Sequence, residues 1–135
     1  EAYEFLATGT RTGKVATVRA DGRPHVAPIW FELDGEDLLF TTWHESVKGK
    51  NLVRDGRIAL TVDEEVAPYA FVLVEGTVTI TEDPAESLKW ATRIAARYMG
   101  QDRAEAFGQR NSVPGELLVR VKVDKMVAQK ELAAW

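Results

Sequence analysis

The sequence predicts a mainly β fold with accessory helices, a closed or nearly closed antiparallel barrel of about six strands with helices at its ends. Three observations carry that expectation. Short β-favouring runs alternate with tight-turn signals, Asp21-Gly22 and Asp34-Gly35 among them. Helical signals are confined to three stretches, which start near Ser46, Asp83 and Asp102. The length, 135 residues, suits one hydrophobic core, so residues 1–135 are read as one domain.

Val15 to Ala20 is the first strand, and Asp21-Gly22 turns it into a hairpin. His25 to Leu33 reads as the second strand. Pro24 and Pro28 lack an N–H donor, so this strand belongs at a sheet edge, at a bulge or at an interruption. Asp34-Gly35 then leads into Leu38–Thr42. Ser46 is a helix-capping residue for a segment ending near Asp55, in which Val47, Leu52 and Val53 alternate with Lys48, Lys50 and Arg54. Arg57 to Val62 is a strand, and Asp63-Glu64-Glu65 is a turn. Tyr69 to Thr81 is long for one strand, and Gly76 within it marks a bend or bulge.

Asp83-Pro84 followed by Glu86 starts a helix, along which Leu88, Ala91, Ile94, Ala95 and Tyr98 recur at helical spacing. Gly100 stops it, and a second short helix covers Asp102 to Gln109. After the turn Asn111–Gly115, an alternating strand runs from Glu116 to Val123. Trp90 reads as packing, and the final Trp135 as a tail without an assigned role.

Composition removes whole classes of chemistry. There is no cysteine, which excludes a disulfide scaffold, a zinc ribbon, an iron–sulfur cluster and a thiol nucleophile. Apolar runs such as Phe71–Val74 fall far short of the roughly 20 residues of a membrane span, so no membrane is expected and the cytoplasm is the expected location. The 17 basic residues are dispersed against 21 acidic ones, a net −4, which argues against a nucleic-acid partner. His25 and His44 lack both a G-x-S-x-G serine and metal-ligand spacing, so neither a hydrolytic triad nor a metal site is expected.

One stretch points to an anionic ligand. Thr41-Thr42-Trp43-His44-Glu45-Ser46-Val47-Lys48-Gly49-Lys50-Asn51 sets hydroxyls, two lysines and an amide at a strand-to-helix junction. The first turn of a helix offers unpaired N–H groups and partial positive charge, which suit a phosphate. Lys48 adds a point charge there, and Asn51, about one turn on, adds a donor on the same side.

The ordered set G-K-V-A-T-V-R-A-D-G-R-P-H-V-A-P-I-W-F (Gly13–Phe31), L-L-F-T-T-W-H-E-S-V-K-G-K-N-L (Leu38–Leu52), Arg57-Ile58-Ala59-Leu60 and Val74-Glu75-Gly76-Thr77 resembles the pyridoxamine 5'-phosphate oxidase-like split-barrel superfamily. The resemblance runs from about Gly13 to Val123 and is nearest to the branch that uses the deazaflavin coenzyme F420. Where FMN-dependent members carry an Arg and a Lys for the FMN phosphate, this chain has Ala27 and Glu32. Of their Ser-Arg-Lys triplet, Ser46 and Lys48 remain, and the segment Lys48–Leu52 fits the K-x-x-N-L of the deazaflavin branch. A Glu32 pointing inward would repel an FMN dianion.

The resemblance implies a six-stranded FMN-binding-type split barrel that works as a homodimer, with F420 as cofactor and FMN as the alternative. It implies hydride transfer between reduced F420 and a small organic acceptor. Ser46, Lys48, Lys50 and Asn51 would meet the phosphate, while Pro28, Ile29, Trp30, Thr41, Thr42 and Trp43 would line the ring system. Residues near Tyr69–Val72 would reach the site from the partner subunit. No side chain stands out as a proton donor; His25 and Tyr69 qualify by chemical type, and water could serve. A non-catalytic flavin or deazaflavin carrier is the alternative of another class.

Overall fold

The computed structural model describes residues 1–133. Seven strands form one antiparallel sheet: β1 (Gly13–Val18), β2 (Pro24–Ile29), β3 (Glu32–Asp34), β4 (Asp37–Trp43), β5 (Arg57–Glu64), β6 (Ala70–Thr81) and β7 (Glu116–Lys130). The order across the sheet is β2-β1-β5-β6-β7-β4-β3. Four helices accompany it: α1 (Ala2–Ala7), α2 (Val47–Arg54), α3 (Pro84–Met99) and α4 (Gln101–Arg110).

The expected six-stranded barrel is corrected to seven strands in a sheet that does not close. The cause lies in the stretch expected as one strand from His25 to Leu33. It breaks at Trp30-Phe31: β2 pairs with β1 as far as Ile29, and β3 pairs with β4 from Glu32. Trp30 leaves the sheet to stack on Tyr98 of α3 with ring centroids 5.3 Å apart, and Phe31 is fully buried. β2 and β3 are therefore the two edges of the sheet, yet only Trp30 and Phe31 separate them in sequence. Three peptide steps bring Ile29 and Glu32 within about 11 Å. The sheet thus coils until its edges approach, and no ladder joins them.

The interior is packed by Val15, Phe31, Phe40, Leu60, Val74 and Val119 with their neighbours. α1, which no capping or periodic signal announces, places Leu6 fully buried in that core. On the outer side α3 covers β4 and β7 through Trp90, which packs with Leu39 and Leu118. Arg97 of α3 fastens the crossover: its guanidinium donates to the carbonyls of Leu6 (2.6 Å), Gly9 (2.9 Å) and Phe31 (2.9 Å). Asp83 caps α3, and Gly100, at φ 93°, separates it from α4.

The long β6–β7 hairpin carries the irregularity that Gly76 marks. Glu75 pairs with Lys125 and Gly76 with Val123, so Asp124 is an extra residue, a β-bulge. A side chain at Gly76 would strike the Lys122 carbonyl. The bulge lets β7 continue to Lys130, beyond the expected end at Val123, because its second half pairs with Ala70–Glu75. Among the described residues, no helix is long and apolar enough to cross a membrane.

Candidate functional site

A cavity of about 470 Å³ opens beside the crossover that links the two sheet edges. Its walls are the end of β2 (Pro28, Ile29) with Trp30 after it, the end of β4 (Thr41, Thr42, Trp43), Ser46 and Lys48 at the start of α2, and Glu116 at the start of β7. Thr12, Ala91, Ile94 and Asn111 complete it. The sequence folds this way locally because β4 ends where Ser46 can cap a helix. The Ser46 N–H donates to the Trp43 carbonyl (2.9 Å), and Ser46 Oγ accepts from the Gly49 N–H (3.0 Å). A Cβ at Gly49 would lie 2.6 Å from the Trp43 carbonyl oxygen, so the turn requires glycine there.

The hydroxyls of Thr42 and Ser46 lie 2.8 Å apart and share one hydrogen bond. Two hydroxyls carry two hydrogens, so one O–H is left for a ligand. Capping by Ser46 satisfies the Gly49 N–H but leaves the first-turn donors of Val47 and Lys48 without an intrahelical acceptor. Lys48 is half-buried, and burial pushes its pKa down, with Glu116 pulling the other way. Burial in turn pushes the Glu116 carboxyl up, against the pull of Lys48, Arg110 and His44. Among the described residues neither Lys48 nor Glu116 has an ion-pair partner. A cleft holding two ionisable groups perturbed by burial is a functional-site candidate.

The aromatic walls are held from behind. Trp30 stacks on Tyr98 with an interplanar angle of 4°, and Phe107 of α4 meets its edge at 6.4 Å. The Tyr98 hydroxyl donates to the Arg11 carbonyl at 2.8 Å, fixing the ring beneath Trp30. Trp43 is 42% exposed and packs over Gly115, where a Cβ would come within 2.6 Å of its ring. The His44 N–H donates to the Gly115 carbonyl (2.8 Å), tying the β4–α2 turn to the loop before β7.

Of the ten residues singled out in the sequence, eight line this cavity and two do not. Lys50 is exposed and borders a separate depression with His44, Val53 and Glu82. Residues two apart on a helix do not share a face, so Lys48 and Lys50 diverge. Asn51 is corrected more strongly. It is buried, and its side-chain amide donates to Thr17 Oγ1 of β1 at 2.9 Å. The side of α2 that carries Asn51 packs against β1 rather than opening to the cavity.

Glu32 does not face the cavity. Its carboxylate accepts from the Leu33 N–H (2.9 Å) and lies 3.7 Å from Arg97, so the expected repulsion of FMN has no source there. His25 sits on β2 opposite Thr17, and Tyr69 is exposed before β6; neither lines the cavity. A larger groove, about 800 Å³, runs between α1 and the paired ends of β6 and β7 and includes Ala70, Phe71 and Val72. Its cations are already engaged, Arg11 with Glu64 and Lys130 with Glu1. Trp135 lies outside the described residues.

The family model described as pyridoxamine 5'-phosphate oxidase matches residues 1–130. The chain belongs to that family. A solved structure named F420 reductase is 29% identical to this pyridoxamine 5'-phosphate oxidase family member, with a TM-score of 0.73, over 94% of this chain and 97% of that one. A conserved hypothetical protein from Mycobacterium tuberculosis aligns with a TM-score of 0.79 at 23% identity, over 93% of this chain and 82% of that one. General Stress Protein 26 from Bacillus anthracis aligns with a TM-score of 0.70 at 22% identity, over 93% and 88%. The last two likenesses show the fold.

Within this member of the pyridoxamine 5'-phosphate oxidase family, sequence reasoning missed Thr12, Ala91, Ile94, Asn111 and Glu116 as cavity residues. Ala91 and Ile94 carry a helical stripe that reads equally as core. Glu116 reaches the cavity because β7 pairs with β4, Glu116 lying opposite Trp43, a pairing 73 positions apart that no local pattern announces.

Proposed function

We propose that the protein is an oxidoreductase that binds coenzyme F420 in this cavity and reduces or oxidises a small organic substrate. The observation that carries the reading is Lys48, a half-buried ammonium without an ion-pair partner among the described residues, at the capped start of α2. A cation held out of water at a cost is explained by an anion that arrives with the ligand. The 29% identity to an F420 reductase over nearly both chains supports the choice of deazaflavin.

The residues present fit such a group. Lys48, the free hydroxyl hydrogen of the Thr42–Ser46 pair and the first-turn N–H groups would hold a phosphate. Pro28, Ile29, Trp30, Ala91 and Ile94 would shield the ring system from water, with Trp30 held in place by Tyr98. When bound, F420 supplies the hydride chemistry. His25 and Tyr69 of the same chain lie outside the cavity, so in this reading the proton comes from water, from a group on the substrate or from Tyr69 of a second copy. That same observation sustains a second reading, a carrier that binds the coenzyme without turnover.

The working unit in this reading is a homodimer. On the outer sheet face Val26 is 67% exposed, and Leu73 and Val127 are half-exposed, across from the core-facing Val15, Val72 and Val74. Exposed Val26 and the Leu73–Val127 pair, on a face that also carries Thr61 and Lys14, would meet a second copy, which would bring its Tyr69–Val72 segment towards the cavity.

The test is calorimetric titration with F420 and FMN side by side, followed by turnover of reduced F420 with a panel of acceptors. Tighter binding of F420 and consumption of an acceptor are expected. Preference for FMN would overturn the cofactor assignment. Tight binding without turnover would establish the carrier.

A further inference from the structure

We propose that Glu116 selects the cofactor by its phosphate, admitting a phosphodiester such as that of F420 and disfavouring a phosphomonoester such as that of FMN. The inference rests on the reading above that Lys48 meets the cofactor phosphate.

Glu116 is built into the phosphate end of the cavity. It lies opposite Trp43 in the β4–β7 ladder, three residues before the Ser46 cap. The backbone bond from the His44 N–H to the Gly115 carbonyl fixes the two segments to each other. The titratable and basic groups around it come from three elements: Lys48 from α2, Arg110 from the end of α4, and His44 from the turn after β4. None of them forms an ion pair with it among the described residues, and Glu116 itself lines the cavity.

The charge balance then discriminates between ligands. Against Lys48, Arg110 and the partial positive charge of the α2 N-terminus stands the single negative charge of Glu116, whose repulsion of a ligand grows with the ligand's own charge. A phosphodiester brings a single negative charge, so Glu116 opposes it least. A phosphomonoester brings about −1.5 to −2 at pH 7, and its additional charge meets the Glu116 carboxylate in a partly desolvated site. The repulsion that the sequence suggests for Glu32 is thus supplied by Glu116, since Glu32 is turned to Arg97.

The test measures the affinities of wild type, E116Q and E116A for F420 and for FMN by calorimetry at pH 7. Both variants are expected to gain FMN affinity by about tenfold, with F420 changing by less than about threefold. Using both guards against a folding defect in either one, and thermal unfolding reports on the fold. An unchanged FMN-to-F420 ratio in the folded variants would overturn the proposal. K48A separates this result from a failure of the underlying reading: unchanged affinity for both cofactors in K48A would show that the phosphate lies elsewhere.

Discussion

Lys48 and Glu116 both sit where burial opposes their charge, and each therefore costs the folded state something that a neutral residue would not. For Glu116 the sign is definite. Its folded pKa lies above the unfolded value, so the penalty is full when both states are ionised and vanishes once both are protonated. E116Q is expected to raise the melting temperature at pH 7, with the gain fading as pH falls to about 4, in thermal unfolding followed by circular dichroism. Asn51 behaves oppositely. Removing its bond to Thr17 in Asn51→Ala should cost about 1–3 kcal/mol in urea denaturation, because a buried hydroxyl loses its partner. The Ser46–Lys48 turn was legible in the sequence because capping is local. The direction of Asn51 was not, because packing against β1, rather than the helix itself, decides which side of α2 is buried.

Among the elements, α3 does more than cover the sheet. Through Arg97 it holds the end of α1 and the β2–β3 crossover together, and through Tyr98 it backs the cavity wall at Trp30. Arg97→Met would leave three carbonyls short of a charged donor and is expected to destabilise by at least about 3 kcal/mol, read as a shift of the urea midpoint. Gly76 is the other fixed point. Gly76→Ala would push a Cβ into the β7 backbone at the bulge, and a loss of about 1–3 kcal/mol is expected in the same assay. Proline in the second strand, glycine in the long strand and the Asp83-Pro84 start of α3 all announced features the fold contains. The split of one expected strand into β2 and β3 was hidden, since Trp30 and Phe31 are as strand-compatible as their neighbours and only packing against α3 pulls them out.

For the whole molecule, the coiled but unclosed sheet explains why the cavity exists. The two edges are two residues apart in sequence and unpaired in space, and the end of β2 together with Trp30 of the crossover lines that opening. Local turn signals could suggest a barrel, but whether its edges zip together depends on the crossover. If the outer face pairs two copies, Leu73→Lys should shift sedimentation from dimer to monomer and weaken cofactor binding by about tenfold. The central claim, that an anionic deazaflavin is held at the start of α2, is tested most directly by titrating F420 into wild type and K48A by calorimetry. Loss of a charge-assisted phosphate contact should weaken binding by about tenfold or more. Equal affinity in the two proteins would contradict it.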